Sequence, residues 1–313
     1  MKPIPLPHPF LPSRLTACLL ALLALAHTSI ATASDAATAT KLRALGAQVT
    51  EAAGAVTRVV FKDCSKLGDA EFRDLGQLKS LKALTLYGKC HGLTDQTLPH
   101  LAGLGSLEEL GTDGIQVTDA GLAALTTLTN LRSASFFHIA FPDKGFTGAG
   151  FAAFKTLPKL ERLTVAGTPF NDRGMAAIGQ LTQLKEFSTW HTYQTQAGNE
   201  HLLTLKNLRS LKLGQRLRRY DGKPNLLSLD DSTLATVAKL TSLENLSLDE
   251  VRLTHTGLSA LKALPTLKKL TLLRTDITEA DLAKLRTDLP AVTIDWKPLT
   301  DAERTALNGF LKP

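Results

Sequence analysis

The chain has 313 residues with 36 basic and 29 acidic side chains, and only 5% of its residues are aromatic. The formal charge of +7 is a mild excess, and no face of the pattern described below gathers it into the dense basic stripe of a nucleic-acid footprint. Nucleic acid is therefore excluded as a partner, an anionic envelope surface or protein is compatible, and each exposed aromatic ring becomes informative.

Residues 1–34 differ from the rest. Lys2 and Arg14 precede an apolar run from Leu15 to Ala26, and small residues follow around Ala31-Thr32-Ala33. This is the charged start, short apolar core and Ala-x-Ala cleavage site of a secretory signal peptide. The core falls short of the roughly 20 residues that span a bilayer, and no second stretch qualifies, so no integral membrane segment is expected after the leader is removed. Leu15-Thr16-Ala17-Cys18 resembles the box before a lipidated cysteine, but there the apolar core precedes the box, whereas here it follows. Cys18 is expected to leave with the leader. Lys2 and Arg14 supply two of the seven excess charges, which leaves five on the exported chain, in the periplasm or outside the cell.

Residues 35–55 place Leu42, Leu45 and Val49 on one helical face and read as an N-terminal capping helix. From residue 56 to 296 the sequence repeats. Each unit opens with an apolar residue and a period-two pair, as in Leu243-Glu-Asn-Leu246-Ser-Leu248, then turns into a three-residue apolar step of helical character. The opening positions are Val56, Leu81, Leu107, Leu131, Leu160, Leu184, Leu208, Leu243 and Leu267, at intervals of 25, 26, 24, 29, 24, 24, 35 and 24 residues. A fixed period in this range marks a solenoid whose units bury their apolar faces only against each other. Nine coils are read, closed by a tenth strand around Val292-Thr-Ile294. Helices are about 10 Å wide and neighbouring strands about 4.8 Å apart, so parallel strands must line the concave side and helices the convex side. Residues 297–313 form a short C-terminal helical tail opened by Thr300-Asp-Ala-Glu303, a capping-box match.

The units "VTDAGLAAL" (117–125), "TPFNDRGMAAI" (168–178) and "ITEADLAKL" (277–285) resemble a leucine-rich repeat of the Thr-Asp-x-Gly-Leu type. Such 24-residue repeats are similar to those of exported bacterial proteins of the ribonuclease-inhibitor-like horseshoe class and to those of F-box leucine-rich proteins. The resemblance spans roughly residues 40 to 296 and implies an α/β leucine-rich-repeat solenoid, a curved horseshoe of about nine coils plus caps. It implies a binding scaffold without naming what is bound. Threonine, asparagine or aspartate before each helix (Thr94-Asp95, Thr118-Asp119, Asn171-Asp172, Asp230-Asp231, Thr278-Glu279) is read as helix capping, since the ligand-dense spacing of a calcium loop is absent.

No phosphate loop, Gly-x-Ser-x-Gly, His-Glu-x-x-His or Cys-x-x-Cys motif occurs, and "GFTGAGF" (145–151) lacks the dinucleotide spacing. His191, Glu200 and His201 are near in sequence but belong to opposite sides of a coil. No enzyme activity, metal or cofactor is expected. Cys64 and Cys90 occupy equivalent places in coils 1 and 2, where this class of repeat carries a buried donor. In an oxidising compartment they become either a disulfide or two buried thiols.

The candidate binding residues stand just past each strand. That column reads Lys62, Tyr87, Asp113, Phe137, Ala166, Trp190, Gly214, Asp249 and Leu273, and the next reads Asp63, Gly88, Gly114, His138, Gly167, His191, Gln215, Glu250 and Arg274. Both columns are expected on the concave side or its rim. Phe137-His138 and Trp190-His191 then form walls about 10 Å apart over a small floor of Ala166-Gly167, a slot for a side chain or a sugar ring. Insertions in coil 4 (139–146) and coil 7 (216–225) emerge on the same rim, the second bearing Arg216, Arg218, Arg219 and Tyr220. The expected function is an exported, non-catalytic scaffold for a protein partner. The alternatives are a glycan or envelope-polymer binder stacking on Tyr87, Phe137 and Trp190, and a secreted effector like the F-box proteins, for which the twenty or so residues before coil 1 are too few. On the leader reading, mass spectrometry of the exported full chain shows loss of about 34 N-terminal residues; an intact Met1 overturns it.

Overall fold

The computed structural model describes residues 35–140, 145–215, 217 and 227–311. Among them eleven strands form one sheet in sequence order: β1 (Gln48–Ala52), β2 (Ala55–Phe61), β3 (Ala83–Leu86), β4 (Glu109–Asp113), β5 (Ser133–Phe137), β6 (Arg162–Ala166), β7 (Glu186–Trp190), β8 (Ser210–Gly214), β9 (Asn245–Asp249), β10 (Lys269–Leu273) and β11 (Thr293–Trp296). From β2 onward every neighbour is parallel, and the equivalent leucines pair: Leu211 with Leu246, Leu246 with Leu270. Leu246 and Leu248 are 1% and 0% exposed. Burial of this kind contributes about 2 kcal/mol per leucine, repeated coil after coil in one continuous core. The architecture is the open α/β leucine-rich-repeat solenoid that the period demands.

The return segments differ along the array. Coils 2 to 4 use 3-10 turns (Leu98–Gly103, Gly121–Thr127, Ala149–Thr156), whereas coils 1 and 5 to 9 contain the helices α2 (Asp69–Leu75), α3 (Asp172–Ile178), α4 (Gln196–Asn199), α5 (Asp231–Val237), α6 (His255–Ser259) and α7 (Glu279–Asp288). Coil 4, five residues longer than its neighbours, replaces leucines with phenylalanines. Phe136, Phe146, Phe151, Phe154 and Phe170 are all buried, with ring centroids 5.4 to 6.2 Å apart. Ile139, Ala140 and Phe146, at the two ends of the coil 4 insertion, are core residues. That insertion is in part a filler of a wider coil.

The Thr-Asp-x-Gly motif does more than cap helices. Asn171, Asp230, Thr254 and Thr278 do cap, accepting from Arg173, Ser232, Gly257 and Asp281 N–H. Asp95, Asp119, Asp172 and Asp231 instead reach forward to the next coil. Asp95 accepts from Thr118 N–H and hydroxyl at 2.9 and 2.7 Å, Asp172 from those of Thr195 at 2.7 and 2.7 Å, and Asp231 from those of Thr254 at 3.0 and 2.6 Å. Asp119 accepts four bonds, from Thr147 N–H and hydroxyl and from Gly148 and Gly150 N–H. At these four junctions one coil offers a carboxylate forward and the next a threonine backward. The glycine three places after the threonine has a steric cause: a Cβ at Gly121 or Gly257 would collide with the carboxylate arriving from the preceding coil. The oxygens a calcium ion would need are already occupied.

The N-terminal cover differs from the expected single helix. Helix α1 covers residues 35–44, and Val49 lies in β1, which pairs antiparallel with β2 through a tight turn at Ala53-Gly54. Left-handed Gly46, at φ +97°, breaks the helical run before Val49. Leu42 is buried as expected. At the other end α8 (Asp301–Phe310) opens with the complete Thr300/Glu303 capping box, and it lies along the strand-end rim, where Arg304 pairs with Asp276 and Arg252 donates to Asn308 Oδ1 at 2.7 Å. Asp119→Ala leaves four donors without their acceptor, and at about 1.5–3 kcal/mol for a bond to a charged group the loss is expected to be several kcal/mol, well beyond a surface substitution. Urea unfolding measures it, and a midpoint unchanged from wild type would show the clasp to be dispensable.

Candidate functional site

The concave face carries three lanes. The middle lane is small and hydroxyl-rich, with Thr85, Gly111, Ser135, Thr164 and Ser188 in register from β3 to β7 and Lys212 next on β8. None of the hydroxyls of Ser135, Thr164 and Ser188 bonds to the protein among the described residues. Beside this lane, at the strand ends, runs the aromatic column. Tyr87 is 38% exposed, while Phe137 and Trp190 are half-buried.

These rings do not flank an open slot. Tyr87 meets Phe137 edge-on with centroids 5.8 Å apart, and Phe137 meets Trp190 at 6.0 Å. Because the intervening coils contribute Asp113 and buried Ala166, the larger rings lean across and touch, an arrangement aromatic pairs favour over an empty gap. The 10 Å opening expected from strand spacing is closed, and a continuous aromatic ridge over coils 2 to 6 replaces it. Lys212 Nζ sits 4.2 Å from the centre of the Trp190 ring and ends the ridge with a cation.

The second column is set by backbone conformation. Gly88, Gly114 and Gly167 have positive φ at this position, and so do His138 (φ +50°), His191 (+51°), Glu250 (+56°) and Arg274 (+45°). A non-glycine residue there costs about 1–2 kcal/mol, so surrounding contacts must hold it. His138 is 2.7 Å from Asp113 Oδ1 through its Nδ1, and its ring occupies the space a side chain at Gly167 would need. The other three residues join one cluster. The Glu250 carboxylate accepts from His191 Nε2 at 2.5 Å and lies 3.3 Å from Arg274, and buried Asp249 pairs with Arg274 at 2.7 Å and Lys212 at 3.3 Å. Burial pushes the Glu250 carboxyl up, but the His191 hydrogen bond and the charges of His191, Arg274 and Lys212 outweigh it and hold the group below the ordinary carboxylate range. The cluster locks Lys212 over Trp190.

The structure thus brings Tyr87, Phe137 and Trp190 together, with His138 and His191 beside them on the rim. Lys212, Asp249, Glu250 and Arg274 complete the site; Lys212 lies outside the two columns counted from the sequence, and Asp249, Glu250 and Arg274 lie in them without having been assigned to the slot. The available signal was a charged residue where other coils carry glycine. Its partners remained hidden, because His191 reaches over coil 7 to coil 8. Several positions of the columns are buried, and two of them carry polar side chains: Gln215 and Asp249 are 0% and 3% exposed. Gln215 accepts from Ser228 N–H and donates to Leu229 O, closing the base of the coil 7 insertion. Arg216, Arg218, Arg219 and Tyr220 lie outside the described residues.

Cys64 and Cys90 are buried free thiols. The hydrogen bond from Cys64, reinforced by burial, pushes the Cys90 thiol well above its ordinary value. Their N–H groups donate to Gly88 O and Asp113 O of the following coils, the buried-donor role of this repeat position. Glu200 and His201 begin a 3-10 turn (Glu200–Thr204) on the convex side, far from the Glu250 that His191 engages, and among the described residues no three His, Cys, Asp or Glu side chains converge as metal ligands. No helix of the described residues is long and apolar enough to cross a membrane. The basic excess is dispersed: along the strand-start rim Lys82, Glu108, Arg132, Glu161 and Lys185 alternate in sign, with Lys185 and Glu161 2.6 Å apart.

Compared with models of protein families and with curated proteins, the sequence matches none. Among solved structures, a leucine-rich-repeat protein of Leptospira interrogans is similar at 20% identity over 72% of this chain and 51% of its own, with a TM-score of 0.45. Internalin C2 of Listeria monocytogenes is similar at 21% identity over 71% of this chain and 83% of its own, with a TM-score of 0.46. The chain spans about half the length of the Leptospira protein.

A carboxyl lowered on folding stabilises the fold at pH above its unfolded value, about 4.3 for Glu, and that contribution disappears as pH falls through the folded value. Wild type is therefore expected to lose stability below about pH 4.3 more steeply than Glu250→Gln, which lacks the titrating group. Urea midpoints between neutral and acid pH measure the difference, and parallel acid limbs would remove Glu250 from the account.

Proposed function

We propose that this chain is an exported, non-catalytic leucine-rich-repeat scaffold that binds a protein partner across its concave face. The observation that carries the reading is the Tyr87–Phe137–Trp190 ridge, a run of apolar rings on an open face in a chain with few aromatics. Interfaces concentrate their energy in aromatic and arginine anchors, and here the His191–Glu250–Arg274 cluster supports strained residues beside the ridge. Such strain is retained where a site needs it. Export rests on the leader-like residues 1–34.

A glycan reading has one observation of its own: the hydroxyls of Ser135, Thr164 and Ser188 have no protein partner among the described residues and border the ridge, where sugar hydroxyls could meet them while a ring stacks on Phe137 or Trp190. Pull-down from envelope extracts, run beside a glycan array, separates the two readings.

In the pull-down Trp190→Ala is expected to weaken capture of the protein partner about thirtyfold, because truncating an interface anchor costs about 2 kcal/mol. Circular dichroism and melting should change little, since Trp190 is half-buried and outside the leucine core. Leu273→Ala, in the same column at 39% exposure, is the matched control. If the Trp190 variant folds and captures the partner at wild-type strength, the ridge is not the site. Binding to the array alone, lost in the same variant, would favour the glycan.

A further inference from the structure

The two ends of the solenoid are finished differently. At the start, β1 covers β2 and α1 buries Leu42, so that Val56 and Val59 are fully enclosed. At the far end α8 does not stack on the last coil. It lies along the strand-end rim of coils 8 and 9, held to Asp276 and Arg252. Among the described residues the outer edge of β11 has no neighbour in the sheet. Ile294 and Trp296 remain half-exposed, although the residues paired with them on β10, Leu270 and Leu272, are 0% and 1% exposed.

The backbone of this edge has a definite polarity. Thr293 N–H donates to Lys268 O at 2.9 Å, so Thr293 and Asp295 direct their polar groups toward β10. By strand alternation Ile294 directs both its N–H and its C=O outward, as Trp296 does its N–H and Val292 its C=O. Unpaired edge groups beside half-exposed apolar side chains are a template for another strand.

We propose that β11 pairs antiparallel with β11 of a second copy of this chain, with the twofold axis at Ile294. The sequence of the edge is complementary to itself in this register. Ile294 packs on its counterpart, Trp296 on Val292, and Asp295 stands opposite Thr293, a carboxylate beside a hydroxyl. Ile294 exchanges both backbone bonds with its twin, and Trp296 N–H donates to the Val292 carbonyl. The Val292 N–H is already used, donating to Leu289 O at 3.0 Å. The competing register, centred on Asp295, also keeps the apolar side chains on the core side but sets two carboxylates directly opposite each other, an unfavourable pairing. The apolar layer of one solenoid then continues into the next through an isologous interface.

The test uses protein purified after export from cells making the full chain, in a Cys18→Ser background. Sedimentation velocity over a concentration series is expected to show a monomer passing to a dimer. Thr293→Cys and Asp295→Cys both change exposed concave positions, and Cys64 and Cys90 are buried. In the Ile294-centred register residues 293 and 295 of opposite copies form a non-hydrogen-bonded pair with Cα atoms about 4.5 Å apart, within the reach of a disulfide. Mixing the two variants under mild oxidation should therefore give an interchain-linked dimer, and either variant alone should not. A monomer at every concentration overturns the proposal, as does a dimer that the mixed pair fails to link. Linkage of Asp295→Cys to itself overturns it in favour of the other register.

Discussion

The stacking of this chain depends on a carboxylate handed from one coil to the next. Leucine burial makes the coils adhere, but apolar contact is non-directional and does not set how one coil is placed on another. Asp95, Asp119, Asp172 and Asp231 supply that direction, each accepting a backbone N–H and a hydroxyl from the threonine of the following coil. Where the aspartate is missing, the chain substitutes. Gln196 accepts from Thr233, His255 pairs with Asp288, and at Gly148 the ring of Phe170 takes the space while Asn171 N–H donates to Thr147 O. Coil 7 carries the longest insertion and still presents Asp231 to Thr254, so the clasp does not depend on a regular coil length.

The same stacking puts the concave face under constraint. Seven strands, β3 to β7, β9 and β10, end in a turn with a left-handed residue, and in-register stacking brings those residues into a file along the rim. Glycine is the inexpensive choice there. His138, His191, Glu250 and Arg274 are held instead by ion pairs to neighbouring coils, and through Asp249 and Lys212 this network reaches the face of Trp190. The ridge and the polar cluster are consequently one object. Side chains from coils 2, 4 and 6 touch each other, and those of coils 6 to 9 brace the end, so a substitution at Arg274 acts on the surroundings of a ring three coils away.

The period, the leucine positions and the Thr300/Glu303 box were legible in the sequence, and with them the solenoid, its parallel sheet and the tail helix. They are local or strictly periodic properties: a leucine every second residue in a strand is a statement about pleat, and recurrence about every 24 residues is a statement about stacking. The columns that face the cavity could be counted off in the same way, which is why Tyr87, Phe137 and Trp190 were identifiable as neighbours on one face.

What the sequence could not supply was direction at the level of side chains. Strand spacing placed Phe137 and Trp190 two coils apart, but only the tertiary structure decided that both rings lean over Ala166 and meet. Spacing likewise marked Asp95, Asp119, Asp172 and Asp231 without revealing that they reach to the next coil's threonine. His191 and Glu250 are 59 residues apart, and no pattern of period 24 joins them. Residues 48–52 became a strand because the first coil needed a partner for its open edge, a demand made by the assembled sheet. Repetition determines what must be stacked, and close packing between unlike side chains determines how each one is finally turned.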